Sequence, residues 1–572
     1  MDDSYFDAVI LGTGLTESIT AAALAKAGFK VAHIDENPYY GGQEASLSLE
    51  EFIQWADSSS DSKFTSITRS PNTLPQSRQY SICLCPSFIP SVGPIISSLI
   101  SSGVAKYGGF RLLERVGVYD PSGIIKDVPG TKEDVFRNKD INLLDKRRLM
   151  RFLMFAVSEF ECNNELEGQY HLPFEEFLKT SFSLNDEMTT TIIHSIAYCL
   201  SPSDPTLPAL RRIRRYLRSA GRYGPSPFLV GHYGGTGDIA QGFCRAAAVS
   251  GGVYILGRRI DSILRSPSFP TGSSRSPRYS VQLADFSEPL TCNVVISSAH
   301  LLPSNLTQDA KQLPSTIENI SSQHTSMIRC IAIVDRPIYF PPSTLSGGRN
   351  SSQSGLADGG SVSSPGDTSS PILHPLDTGL LVFPPSSVPG GSTTMAATIL
   401  VTGEGSMSTP AGKWILYIAL PLQPLMPCTS PQQILEPYLN ATLALMVPPG
   451  PPTSPPSAQN PTPASLFTAF YVHHPDPGIT TAPELSSDST PRKPYLIPPT
   501  LPPTLPLPDI TDTAATHAEI VFWEAVQMLR EDGISPTQGS GDTYPDESPR
   551  GIESFWPVVD TGEESENEGS TE

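Results

Sequence analysis

Basic charge is scarce in this chain, and apolar residues are few for its length. Lys and Arg number 38 against 58 Asp and Glu, giving a net charge of −20. Phosphate affinity needs clustered cations, so the balance argues against a nucleic-acid partner. Hydrophobic residues fill only 38% of 572 positions and 58 residues are proline, which implies an ordinary core interrupted by segments that do not pack. The eight cysteines are scattered, and Cys83 and Cys85 stand too close for a zinc knuckle or a redox pair, so free thiols in a reducing compartment are expected. No apolar run reaches the length of a membrane span. Met1-Asp2-Asp3 leads straight into a strand rather than a signal peptide, and a cytoplasmic location is expected. No P-loop, Ser/His/Asp set or metal-ligand cluster stands out. The ten histidines are isolated, and His33 reads as structural.

What is present is a βαβ unit at the start. "LGTGLTESITAAALAKAGFKVAHIDENPYYGG" follows the strand at 6–11 with a Gly12-x-Gly14 turn, an Ala-rich helix to Gly28, and a second strand ending at Asp35. Asp35 stands where a carboxylate would hold ribose hydroxyls. The third glycine of a dinucleotide fingerprint should fall at 17, but the residue there is Glu17. An acid in the first helical turn is favourable with nothing bound and repels a diphosphate. On this reading the loop is self-capped, and no cofactor is expected. A second Gly-rich stretch, "GHYGGTGDIAQGFCRAAAVSGGVYILG" at 231–257, reads as loop, helix and strand, and further strands follow to about 300.

Between these lies a helical block. "NLLDKRRLMRFLMFAVSEF" carries Leu143, Met150, Leu153 and Val157 on one face and Leu149, Phe152 and Ala156 on another, so its helix is sandwiched or borders a cavity. "DEMTTTIIHSIAYCL" continues the block, and "RRIRRYLRSAGR" (211–222) reads as a solvated basic face with snorkelling stems. The organisation expected is an α/β domain at 1–119 and 226–340, a helical insertion at 120–225, and a disordered Gly/Ser insert at 343–376. The remaining α/β elements fall at 377–446 and 465–530, around a Pro-rich loop at 447–464, and 531–572 forms an acidic, disordered tail.

The two Gly-rich stretches together resemble the family of GDP-dissociation inhibitors and Rab escort proteins, well over residues 1 to about 300 and thinly beyond. The resemblance implies a flavoprotein-like, Rossmann-type α/β domain with an inserted all-helical domain. It also implies a scaffold without cofactor chemistry, in which Glu at the third position belongs to the pattern. It places Tyr40, Asp238 and Arg245 on a platform for Rab GTPases in the GDP state, with Val253 and Ile255 as apolar contacts beside them. Asp238 replaces the family's usual Glu, which shortens its reach. "RYGPSPFL", with Arg222 and Tyr223, matches the mobile loop between the domains.

"VPGTKEDVFRNKDINLLDKRRLMRF" looks like the escort branch, implying that Phe136 and Arg147 dock the α subunit of the Rab geranylgeranyltransferase α/β heterodimer. Leu149, Phe152, Ile192 and Ile196 are candidates for a groove that shields the geranylgeranyl lipid. The function implied is that of a non-catalytic accessory subunit. It would present GDP-bound Rab for prenylation, shield the lipid, and deliver the product by transient membrane contact. Two other readings remain open: a dissociation inhibitor that extracts prenylated Rabs, and, opposed by Glu17, an FAD-dependent oxidoreductase. Scaffolding through the polyproline segments is a possible secondary role.

Overall fold

The computed structural model describes residues 4–58, 63–128, 142–265, 277–302, 310–314, 326–340, 375–422, 430–447, 463–476, 495–536 and 552–556. Two eight-stranded sheets organise them. The first grows from the N-terminal βαβ unit. Its strands run in the order Val253–Leu256, Val31–Asp35, Tyr5–Leu11, Leu290–Ser297, Tyr279–Leu283 and Ile260–Arg265. The first four of these are parallel and the last two antiparallel. Tyr5–Leu11 is buried from Phe6 onward, as expected of a parallel strand covered on both faces. On one face lie the helices Leu15–Lys26, Pro94–Ser102, Thr236–Val249 and Ile510–Glu531, whose Ile19, Ile95, Phe243 and Val521 share one core. The alanines of "TAAALAK" bury without bulk and allow the first helix to sit close to the sheet.

The later strands do not extend this sheet. Phe64–Arg69, Phe467–His473, Met327–Val334, Trp414–Pro421, Ala397–Thr402, Gly379–Phe383, Arg115–Tyr119 and Ile125–Asp127 form a second one, in that order. It is antiparallel except where Gly379–Phe383 runs beside Arg115–Tyr119. Met327–Val334 is buried at every position because both faces are covered. One face packs on the Pro431–Ala444 helix through Leu435 and Tyr438, and the other joins the core of the helical block through Ile331, Ile333 and Tyr417.

The helical block comprises Leu143–Val157, Phe174–Phe182, Asp186–Thr191, a π-helical turn at Ile192–Ile196, and Thr206–Ser219. Asn142 and Asn185 cap two of these helices by accepting from the backbone N–H of Asp145 and Met188. Within the stretch expected to be tail, Ile552–Trp556 packs on the first sheet's helices, with Phe555 against Phe522 and the Trp556 Nε1 donating to Ser98 Oγ at 3.2 Å. The Gly/Ser-rich insert and the 447–464 loop lie almost wholly outside the described residues.

Candidate functional site

The strand Tyr5–Leu11 delivers the chain to Gly12, whose φ of +90° needs a residue without a Cβ, and the first helix starts at Leu15. Around this turn the protein supplies its own ligands. Thr13 donates to Asp35 Oδ2 through its N–H at 2.8 Å and its hydroxyl at 2.6 Å. Asn37 donates to Asp35 Oδ1 through its backbone at 2.8 Å and its side chain at 3.0 Å. Asp35 is thus occupied in the position where it would have held a ribose. Glu17 is buried and accepts from Ser298 Oγ at 2.7 Å. A second acid, Glu44, reaches the same helix end, where Leu15 N–H donates to it at 3.4 Å.

The two carboxyls converge on Gly14. A Cβ there would lie 2.6 Å from Glu17 Oε2 and 3.4 Å from Glu44 Oε2. Burial raises the Glu17 carboxyl, and burial followed by the neighbouring Glu17 raises Glu44 to about 7. These residues do not fit a dinucleotide, because a pyrophosphate at this helix N-terminus would meet two buried acids instead of free N–H groups. His33 lies under the turn with Nε2 at 2.5 Å from Gly12 O, and burial lowers it to about 4.

The two Gly-rich stretches pack directly together. The turn holding Gly41, at φ +100°, lies against the start of the Thr236–Val249 helix, where a Cβ on Gly237 would stand 2.3 Å from Ser46 N. Only glycine permits this approach, which ties Tyr40 to the face carrying Asp238 and Arg245. Tyr40 is half-buried, edge-on to Tyr254 at 6.0 Å. Asp238 and Arg245 lie two helical turns apart. Arg245 is exposed, its guanidinium 4.8 Å from the Tyr107 ring, and Tyr107 OH donates to Gly242 O at 3.0 Å. Burial raises the half-buried Asp238 carboxyl. Val253 is exposed and Ile255 half-buried, both on the sheet's edge strand.

Three residues that sequence reasoning missed are exposed here as well: Tyr107, Tyr233 and Val249. Val249 was recoverable, since it sits one turn beyond Arg245 on the same face. Tyr107 carried no signal, because it arrives from a different element.

Arg222 and Tyr223 are exposed in the turn before the Phe228–Gly231 strand, with the guanidinium 5.5 Å from the ring. Arg147 is exposed on the Leu143–Val157 helix, and Phe136 lies outside the described residues. The four lipid-groove candidates, Leu149, Phe152, Ile192 and Ile196, are all buried in the core of the helical block, while Leu143 and Met154 are exposed.

The basic stretch differs from expectation. Arg212 and Arg215 turn inward to Asp509 and Asp512, with Arg212 at 3.3 Å from Asp509 and Arg215 at 2.8 Å from Asp512. Arg214 and Arg218 pair with Glu161 and Glu159. The helix is a clamp between the helical block and the Ile510–Glu531 helix, not a solvated face. Among the described residues no cluster of His, Cys, Asp and Glu suits a metal ion, and no helix is long and apolar enough to cross a membrane.

The fold and this turn define a protein built on the flavoprotein scaffold with its phosphate cradle closed by acids. Residues 1–272 match the model of the GDP dissociation inhibitor family. Over 364 residues the chain is 31% identical to "Rab proteins geranylgeranyltransferase component A" of Saccharomyces cerevisiae, covering 60% of this chain and 56% of that one. Over 286 residues it is 33% identical to the Drosophila melanogaster protein of the same name, covering 46% and 55%. The chain thus spans about half the length of the curated relatives it matches. Among solved structures, a Rab GDI from Plasmodium falciparum superposes with a TM-score of 0.57 at 19% identity, covering 91% of this chain and 98% of that one. An oxidoreductase from Methanosarcina mazei does so with a TM-score of 0.52 at 14% identity, covering 90% and 100%. These two show the shared fold alone. The names of the relatives agree with the resemblance to the escort branch, and the inhibitor reading is not better supported.

Proposed function

We propose that this protein is a Rab escort protein, a non-catalytic accessory subunit of Rab geranylgeranyltransferase. The observation that carries the reading is the match to relatives named as component A of that enzyme. The face built from Tyr40, Asp238, Arg245, Val253 and Ile255 binds the body of a GDP-bound Rab. Exposed aromatic and apolar groups around a stacked arginine suit a compact hot spot. Phe136 and Arg147 dock the transferase. Holding both partners converts capture of a flexible Rab tail into a local event of high effective concentration.

After transfer the lipid is shielded in the helical block. Each buried CH₂ is worth about 0.8 kcal/mol, enough for a partial groove to hold the chain and release it to a bilayer. Leu149, Phe152, Ile192 and Ile196 are core residues here, so the helices part to admit it, and the π-helical turn at Ile192–Ile196 is a local irregularity where this begins.

The test is reconstituted prenylation with Rab-GDP, the transferase and labelled geranylgeranyl diphosphate. Transfer is expected to require this protein, to fall in Phe136→Ala, and to lose about tenfold in Rab affinity in Arg245→Ala, a change of about 1.4 kcal/mol. Extraction of prenylated Rab from membranes without any support of transfer would make the chain an inhibitor instead.

A further inference from the structure

Two bulky side chains beside the platform sit on a backbone conformation that favours glycine. Among the described residues eight non-glycine positions have positive φ, and of these only Tyr233 and Met407 carry large hydrophobic side chains in the open. Their φ angles are +51° and +53°, and each is 49% exposed. A left-handed backbone crowds the Cβ, so glycine would be less strained at both positions. Tyr233 is followed by Gly234 and Gly235, both also at positive φ. Met407 ends the short turn Glu404–Ser406, a place where glycine is usual.

The two residues come from distant parts of the chain and are held together. Tyr233 lies in the turn before the Thr236–Val249 helix, and Met407 in the loop between the Ala397–Thr402 and Trp414–Pro421 strands of the second sheet. Tyr233 N–H donates to Ser406 O at 3.1 Å, and Gly234 N–H donates to Ser408 Oγ at 3.2 Å. Ser81 N–H donates to Ser408 O at 2.9 Å, and Met407 N–H closes on Glu404 O at 2.8 Å. Ser406 and Ser408 are 0% and 1% exposed. The backbone is thus clamped on both sides of Met407 while its side chain stands half in solvent. Strain that rigid surroundings impose, and that displays a side chain rather than burying it, is characteristic of binding sites.

We propose that Tyr233 and Met407 form a second contact for the GDP-bound Rab, and that their strained backbone is retained for this contact. The inference rests on the Rab-binding reading of the neighbouring face. Continuity with that face identifies the occupant. Tyr233 stands five residues before Asp238, in the turn that starts the same helix, and the packing of Gly41 on Gly237 brings the turn bearing Tyr40 to that start as well. His232 N–H donates to Gly109 O at 2.9 Å, two residues from Tyr107. The pair therefore extends the platform from Tyr40, Tyr107 and Arg245 toward the second sheet. Its chemistry is an aromatic anchor with few rotors beside a thioether that repacks against differing apolar side chains. Such a pair suits one receptor that accepts several related GTPases.

The test pairs Rab-GDP affinity with urea unfolding of the full chain. Tyr233→Gly and Met407→Gly remove side chain and strain together. The urea midpoint is expected to hold or rise in each, while unprenylated Rab-GDP binds at least about fivefold more weakly. Tyr233→Phe and Met407→Leu keep both bulk and strain and are expected to bind as the parent does. Ser183→Gly relieves an exposed left-handed residue, φ +53°, at the end of the Phe174–Phe182 helix, and should raise the midpoint with Rab affinity unchanged. If both glycine variants bind Rab-GDP as the parent does while Arg245→Ala weakens it, the second contact is overturned and the platform reading stands. A midpoint that falls together with affinity makes the two residues structural and also overturns it. So does a loss of transferase binding in place of Rab binding. A parent chain that does not bind Rab-GDP overturns both readings.

Discussion

Glu44 weakens the fold in a pH window that its surroundings define. Burial, with Glu17 beside it, lifts its carboxyl from 4.5 to about 7. Between these values the unfolded chain has shed the proton and the folded chain still holds it, so stability falls as pH rises from about 4.5 to about 7. The loss levels off at roughly 3 kcal/mol, at about 1.36 kcal/mol per pKa unit. Glu44→Gln is therefore expected to raise the urea midpoint clearly at pH 8 and little at pH 5. An equal gain at both would show that burial of the charge is not the cause. His33 acts in the opposite sense. Burial holds it at about 4 against an ordinary 6.5, so the stability its neutral ring contributes is present above 6.5 and fades as pH falls toward 4. The sequence made Glu17 legible, because a spaced glycine motif marks the position where a departure counts. Glu44 was not legible, since it comes from the turn after the second strand, and no motif spacing ties that turn to the first helix. The Gly41 N–H bond to Thr13 O, at 3.1 Å, and the close packing of Gly41 on Gly237 bring it there.

At the scale of elements, the Thr206–Ser219 helix holds two parts of the molecule together. Arg212 and Arg215 reach Asp509 and Asp512 at the start of the Ile510–Glu531 helix, and Asp512 also accepts from Ile95 N–H at 3.1 Å near the start of the Pro94–Ser102 helix. Three helix ends thus meet on one carboxylate whose side chain is 4% exposed. Asp512→Ala leaves Arg215 partly buried beside a missing charge and frees Ile95 N–H, and a loss of about 3 kcal/mol is expected. Gly93 explains the tightness of the joint. A Cβ there would stand 2.3 Å from Asp512 Oδ2, although the backbone is extended and accepts any residue. Gly93→Ala is expected to cost about 1–3 kcal/mol, and less when Asp512 is already Ala, which a double-mutant cycle in urea would read as coupling. The arginine spacing in "RRIRRYLRS" does define two faces, but the acids that answer one of them lie far along the chain. Sequence alone could not distinguish a solvated face from a clamp.

Across the whole molecule, the α/β class and the helical insertion were legible because they depend on local periodicity. The second sheet was not, since its ladder joins Phe64–Arg69 to Phe467–His473 and Arg115–Tyr119 to Gly379–Phe383. Such pairings leave no mark in a short window, and each strand alone could have belonged to the first sheet. The same holds for the chain end. Acidic composition hid Ile552–Trp556, yet this segment closes the helical layer over the first sheet. Phe555 is 9% exposed against Phe522 at 5.2 Å, and Trp556 stacks on Phe243 at 6.0 Å. Phe243 lies on the helix that also bears Asp238 and Arg245, so these aromatics help to fix the proposed Rab platform from behind. Phe555→Ala is expected to cost about 3 kcal/mol, near the lower end for a buried aromatic truncation. Trp556→Ala should cost less, because its ring is only half-buried. If the segment braces the platform, both variants also weaken Rab-GDP binding, by less than Arg245→Ala does, and amide exchange in the Thr236–Val249 helix quickens. Stability loss with unchanged exchange in that helix would confine the segment's role to covering the layer.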